Sequence, residues 1–210
     1  MLTIKQLQTA VFGPVSLSLN AGDALVVTGS SGSGKTRFLR ALADLDPAQG
    51  EVWLEGRERF SMPAFEWRSL VRYVPAVSAW WHPIVRSHFQ TACLLEPWME
   101  RLSLPLRLLD SPVEDLSTGE KQRLAFLRAM QGGPHEAPEA GVPKVFLLDE
   151  PTSALDEAAI GLVEVMMDEL LAQGALLMIV SHLPAQIAKY GAKQLRFDEG
   201  RSQVINGALA

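Results

Sequence analysis

The sequence predicts an α/β domain with a mainly parallel sheet, antiparallel strands at its N-terminus and a helical subdomain inserted into the core. Three observations carry that prediction. Residues 24–28, 145–148 and 175–180 are short, almost wholly apolar runs, the signature of strands buried on both faces. They alternate with helix-length segments at residues 36–44 and 157–172, the order of strands joined by crossover helices. Between these blocks, residues from about 80 to 130 change to a helical spacing of apolar positions.

In chain order, residues 2–7 and 15–19 read as strands, and Asn20-Ala21-Gly22-Asp23 as a turn. Phe38, Leu39 and Leu42 share one side of the helix at 36–44. Residues 51–54 and 70–74 read as further strands. In the lobe, Leu94, Leu95, Trp98, Met99 and Leu102, then Leu124, Phe126, Leu127 and Met130, have helical spacing. Residues 132–142, rich in Gly, Pro, Ala and Glu, are expected to be an exposed, mobile, non-catalytic loop. The expected organisation is one domain, with its core over about residues 1–76 and 131–210 and its helical subdomain over about residues 77–130.

With 48% hydrophobic and 20% charged residues, the 210-residue chain has the balance of a folded domain. No apolar run is long enough to cross a bilayer, and Met1-Leu2-Thr3-Ile4-Lys5-Gln6 lacks a secretory core. A cytoplasmic location is the default expectation. Cys93 alone can form neither an intrachain disulfide nor a zinc cage, and reads as a small buried apolar residue. A net charge of −5 argues against nucleic acid as a partner.

Gly29-Ser30-Ser31-Gly32-Ser33-Gly34-Lys35-Thr36 fits G-x-x-x-x-G-K-[ST] between a buried strand and a helix. The glycines let successive N–H groups point at phosphate oxygens, and the helix adds its positive end. Lys35 supplies a cation to the β- and γ-phosphates, and Thr36 a hydroxyl for Mg²⁺. ATP with Mg²⁺ is therefore the expected ligand. Farther on, an apolar run ends in Asp149 and Glu150. Asp149 stands at a strand's carboxyl end, where ligands bind in open α/β sheets, and suits Mg²⁺ opposite Thr36. Glu150, expected to point the other way along the pleat, suits the polarising of a water.

Leu116-Ser117-Thr118-Gly119-Glu120-Lys121-Gln122-Arg123 precedes an apolar helix. Ser117 and Glu120 have the spacing of a capping box. The same string resembles the LSGGQ-type signature of ABC ATPases. Pro151-Thr152-Ser153-Ala154-Leu155-Asp156 resembles their D-loop region, His182 their switch histidine, and Gly22-Asp23 a turn common among them. The resemblance spans essentially the whole chain.

It implies a P-loop NTPase core and a head-to-tail homodimer on ATP binding. Each ATP would lie between residues 29–36 of one copy and Ser117, Thr118, Gly119 and Glu120 of the other. Glu150 would act as general base and His182 would contact the γ-phosphate. His82, His88 and His135 have no such support.

The chain also departs from the family pattern. Ala76 stands where a metal-holding glutamine is usual, and Thr118 where glycine is usual. Arg37 replaces a common Ser or Thr, and is expected to be solvated more than phosphate-bound. The only candidate for stacking on adenine is Phe12, which reads better as a core residue.

The resemblance further implies an ATPase subunit on the inner face of the membrane, coupled to a separate integral membrane permease subunit. Its groove would be lined by residues 77–85, with one of Trp80 and Trp81 buried and the other at the partner surface. The short helical lobe and residues 98–105 before the signature resemble the small ATPase subunits of iron-efflux exporters, with an importer of amino acids or another small solute as the alternative. The competing expectation is a soluble assembly ATPase, such as one serving an iron–sulfur scaffold.

Overall fold

A computed structural model describes residues 1–89, 95–130, 145–198 and 201–206. Cys93, His135 and the 132–142 loop lie outside the described residues.

Among the described residues, two sheets and six α-helices are arranged around the phosphate loop. Strands β1 (Leu2–Gln8), β2 (Val15–Leu19), β4 (Gln49–Leu54) and the short β5 (Arg57–Glu58) form an antiparallel sheet in the order β2-β1-β4-β5. The second sheet contains β3 (Ala24–Gly29), β6 (Val71–Val74), β7 (Val145–Asp149), β8 (Leu176–Val180), β9 (Lys193–Asp198) and β10 (Arg201–Asn206). Its order is β10-β9-β3-β8-β7-β6. All its neighbours run parallel except β10, which pairs antiparallel with β9.

The apolar runs are continuous because both faces of this sheet are covered. Leu25, Val27, Val145, Leu147, Met178 and Val180 pack on the side of helix α1 (Lys35–Leu42) and the N-terminal sheet. Val26, Phe146, Leu148, Leu177 and Ile179 pack against the lobe and helix α5 (Glu157–Ala172). The alternation follows the two-residue pleat. It places Tyr73 of β6 and Asp149 of β7 toward α1, since Tyr73 sits opposite Leu147 in the ladder.

Helix α1 is fixed at both ends. Gly34, at φ 109°, turns the loop into its first turn. At its C-terminus the Arg59 guanidinium donates to Ala41 O at 2.7 Å and the Trp67 indole donates to Leu42 O at 2.8 Å. Both side chains are buried, and both satisfy carbonyls that a helix end leaves unpaired. Trp67 belongs to helix α2 (Ala64–Leu70), which the sequence reading passed over.

The middle of the chain is less helical than its spacing suggested. Among the described residues it holds a short α3 (Glu96–Arg101), the longer α4 (Thr118–Met130), and 3₁₀ turns at Val85–His88, Leu106–Asp110 and Val113–Asp115. Pro83, Pro105 and Pro112 interrupt the run, since a proline cannot donate and disfavours helix in the residue before it. Helix α6 (Pro184–Tyr190) and the β9–β10 pair complete the fold.

Candidate nucleotide-binding site

The ends of β3, β7 and β8 open on a cleft of about 420 Å³. Its lining includes Gly32, Gly34, Lys35, Thr36, Asp149, Glu150 and His182. Ser31, Val11, Arg37 and Val180 complete it. Four segments far apart in sequence thus meet at one site.

Gly29 has φ 136°, and an added Cβ would strike the carbonyl of Phe197 on β9. Only glycine fits where the loop leaves the sheet. The Lys35 ammonium donates to Gly29 O at 2.8 Å and Ser30 O at 2.7 Å. It is buried, and desolvation lowers its pKa while Glu150 and Asp149 oppose that shift. A phosphate oxygen would restore the solvation that the lysine has lost. Ser33 Oγ is buried with no hydrogen-bond partner among the described residues.

Asp149 is 4% exposed, and its Oδ2 accepts the Thr36 hydroxyl at 2.8 Å and the Tyr73 hydroxyl at 3.1 Å. The Tyr73 pKa is raised, first by burial and then by the Asp149 charge. Glu150 does not continue the pleat as expected. The strand ends at Asp149, and Glu150 adopts a left-handed φ of 49° with its N–H donating to Val180 O at 3.0 Å. That turn brings Glu150 Oε1 within 3.6 Å of His182 Nε2, where both side chains are solvent-accessible.

The segment bearing His182 is held from beneath. Ser181 Oγ donates to Gln186 Oε1 at 2.8 Å, and Gln186 Nε2 donates to Thr152 Oγ1 at 2.9 Å. All three residues are buried, so α6 ties the strand end of β8 to the residues after Glu150.

Residues 117–120 do not line this cleft. The capping box is formed as expected. Ser117 Oγ accepts from Glu120 N at 3.2 Å, while Glu120 Oε2 accepts from Ser117 N at 2.8 Å and from Ser117 Oγ at 2.7 Å. These bonds lower the Glu120 pKa. Gly119 packs under Ala154, whose carbonyl lies 3.1 Å from where a Cβ would stand. Gln122, one turn on, was missed by sequence reasoning. Its Nε2 donates to Glu150 O at 2.8 Å and its Oε1 accepts from Ala154 N at 3.1 Å.

Phe12 is 2% exposed and packs edge-on to Phe38 and Phe197, so it belongs to the core. Its neighbour Val11 is exposed and lines the cleft. Nothing in a lone valine signals such a place. Arg37 pairs with Asp46 at 2.9 Å on an exposed surface.

A second surface lies on the lobe. Trp80 is half-buried against the apolar core, not fully buried, and Trp81 is 63% exposed. The Arg128 guanidinium lies 4.7 Å from each ring. His88 is buried beneath them, in edge-on contact with both. Its Nε2 accepts from the N–H groups of Trp81 and His82, each at 3.0 Å, while Nδ1 lies 3.2 Å from Val85 O. Those partners require a neutral ring protonated on Nδ1. Val77, nearby in sequence, is 88% exposed.

The ABC transporter family profile matches residues 12–153, more than half of the chain. The chain belongs to the ABC transporter family. It is an ATP-binding domain of that family. It is 31% identical to the probable iron export ATP-binding protein FetA of Escherichia coli K12 over 164 residues, covering 70% of this chain and 67% of FetA. It is 30% identical to the pyoverdine export ATP-binding/permease protein PvdT of Pseudomonas fluorescens, covering 83% of this chain but only 28% of PvdT. The fold matches a dimeric, post-hydrolysis ATP-binding cassette bound to ADP and Pi, with a TM-score of 0.74 at 20% identity. That match covers 99% of this chain and 100% of the other. No helix among the described residues is long and apolar enough to cross a membrane.

Proposed function

We propose that this domain binds ATP with Mg²⁺ at residues 29–36 and hydrolyses it between two copies of itself to drive transport. The observation that carries the proposal is a divided site. Lys35, Thr36, Asp149, Glu150 and His182 share one cleft, whereas residues 117–120 face elsewhere. A second copy in head-to-tail orientation supplies what one chain lacks.

Within the site, Lys35 and the loop N–H groups bind the phosphates. Glu150 accepts a proton from the attacking water, and His182 orients the γ-phosphate. The second copy presents Ser117 and the N–H groups of residues 118–120, at the positive end of a 13-residue helix.

The donor set fits Mg²⁺. One buried carboxylate and one hydroxyl meet at 2.8 Å, both hard oxygen ligands. No group of three or more His, Cys, Asp or Glu side chains suited to a metal occurs among the described residues. Hard oxygen donors such as Thr36 and Asp149 suit an ion shared between protein and phosphate oxygens. Held by Thr36 and Asp149, Mg²⁺ would neutralise charge on the nucleotide phosphates.

The domain would sit on the cytoplasmic face of a membrane, with Trp81, Trp80 and Val77 against a permease subunit. The support is an aromatic surface left open beside a buried clasp, and the fused permease in the name of PvdT. Metal efflux, iron first, is the proposed cargo on the strength of FetA alone. Net charge −5 disfavours nucleic acid.

Glu150→Gln tests the divided site. Turnover should fall by about two to four orders of magnitude. ATP should then convert monomer to dimer in size-exclusion chromatography with light scattering. A variant that binds ATP yet stays monomeric at every concentration would sink the paired site.

A further inference from the structure

We propose that Tyr73 is a positioning residue, whose hydroxyl holds the Asp149 carboxylate in the orientation that receives Mg²⁺. The inference rests on the ATP reading above.

Asp149 is nearly inaccessible, so water cannot set its rotamer. Two hydroxyls donate to it, and both reach the same oxygen, Oδ2, from Thr36 and from Tyr73. Their roles differ. Thr36 would itself be a ligand in the proposed site, with its oxygen toward the ion and its O–H still donating to Asp149. Tyr73 does not line the cleft and reaches Asp149 from behind.

Strand geometry explains the contact. Tyr73 pairs with Leu147, which places it diagonally across from Asp149 on the same sheet face. From there the phenol reaches across to Asp149 Oδ2.

The bond is already formed: the Tyr73 hydroxyl lies 3.1 Å from Asp149 Oδ2. Arg40, bound to Asp46 by two hydrogen bonds at 2.8 and 3.0 Å, also interacts with Tyr73. Ala76, where a longer polar side chain would otherwise approach the metal, carries only an exposed methyl. The orientation of Asp149 therefore matters more here than in a site with an additional ligand. Groups that orient metal ligands typically change metal affinity by about 10–100-fold when removed.

The test is the Mg²⁺ dependence of binding a fluorescent ATP analogue, mant-ATP, to the full chain. Tyr73→Phe keeps the ring and removes only the hydroxyl. Its affinity for mant-ATP in EDTA should match wild type, while the gain on adding Mg²⁺ should shrink by about tenfold. Its thermal midpoint without ligand should stay close to wild type. An unchanged Mg²⁺ gain overturns the inference. So does an equal loss of affinity in EDTA, the mark of a merely structural role. Wild-type protein that fails to bind mant-ATP in either buffer would instead overturn the ATP reading on which this rests.

Discussion

At the phosphate cleft, functional side chains stand at or just beyond the ends of three buried strands, and their positions follow from the sheet. At the tryptophan corner the corresponding groups hang on a 3₁₀ turn, a loop and the end of α4. There His88 and Arg128 fix the geometry in place of a ladder. The cleft is anchored by backbone pairing and holds one buried carboxylate, Asp149, beside one accessible one, Glu150. The corner is anchored by one imidazole and some ring contacts. The first arrangement rests on main-chain pairing, the second on side chains.

Perturbations should therefore separate the two regions. The largest effect should follow Glu150→Gln, in turnover. Its choice matters because residue 150 has φ 49°, a conformation that a β-branched replacement would strain. Lys35→Ala comes next and should weaken ATP-analogue binding by about a hundredfold, as expected for charge-assisted bonds to phosphate. Far-UV circular dichroism should remain that of wild type. A loss of fold would show that the loop needs Lys35 for its own structure.

Ser117→Ala removes a helix cap that costs about 1 kcal/mol, and should lower the melting temperature by about 2–4 °C. Its effect on ATP-driven dimerisation should be far larger than its effect on the monomer. If the two effects are equal, Ser117 is a cap and nothing more.

The smallest effect concerns the corner. Burial lowers the His88 pKa from its ordinary 6.5, with Arg128 and His82 adding to the shift and the Val85 and Ile84 carbonyls opposing it. Below pH 6.5 the unfolded chain binds a proton that the folded imidazole resists. Stability should therefore decline as pH falls below that value. His88→Gln should flatten this part of the pH profile of thermal stability. Unchanged slopes between pH 7.5 and 5.5 would place the titration elsewhere.

The cleft was legible from sequence because its chemistry needs particular residue types at fixed spacing. Gly29, Lys35 and Thr36 serve backbone turns, charge and oxygen donation, and no other set does the same. The buried strands were legible because two covered faces leave an unbroken apolar run. The corner was hidden because helical spacing says nothing of a proline-divided loop. His88 appeared as a histidine without support, and its role emerges only when residues 80–82 fold back over it. Tyr73 was hidden for another reason: a hydroxyl that works across a ladder leaves no pattern along one strand. Val11 and Gln122 likewise act through three-dimensional neighbours alone.

Gln122 has one more consequence. A single amide joins the first turns of α4 to the carbonyl of Glu150 and the N–H of Ala154. Within one chain, the helix that faces outward and the turn that bears the carboxylate are two ends of one lever. A shift of the N-terminus of α4 would pull on the backbone of Glu150 through that amide. In a pair of such chains, each cleft would then report its occupancy to the other through an amide side chain, with no moving domain between them.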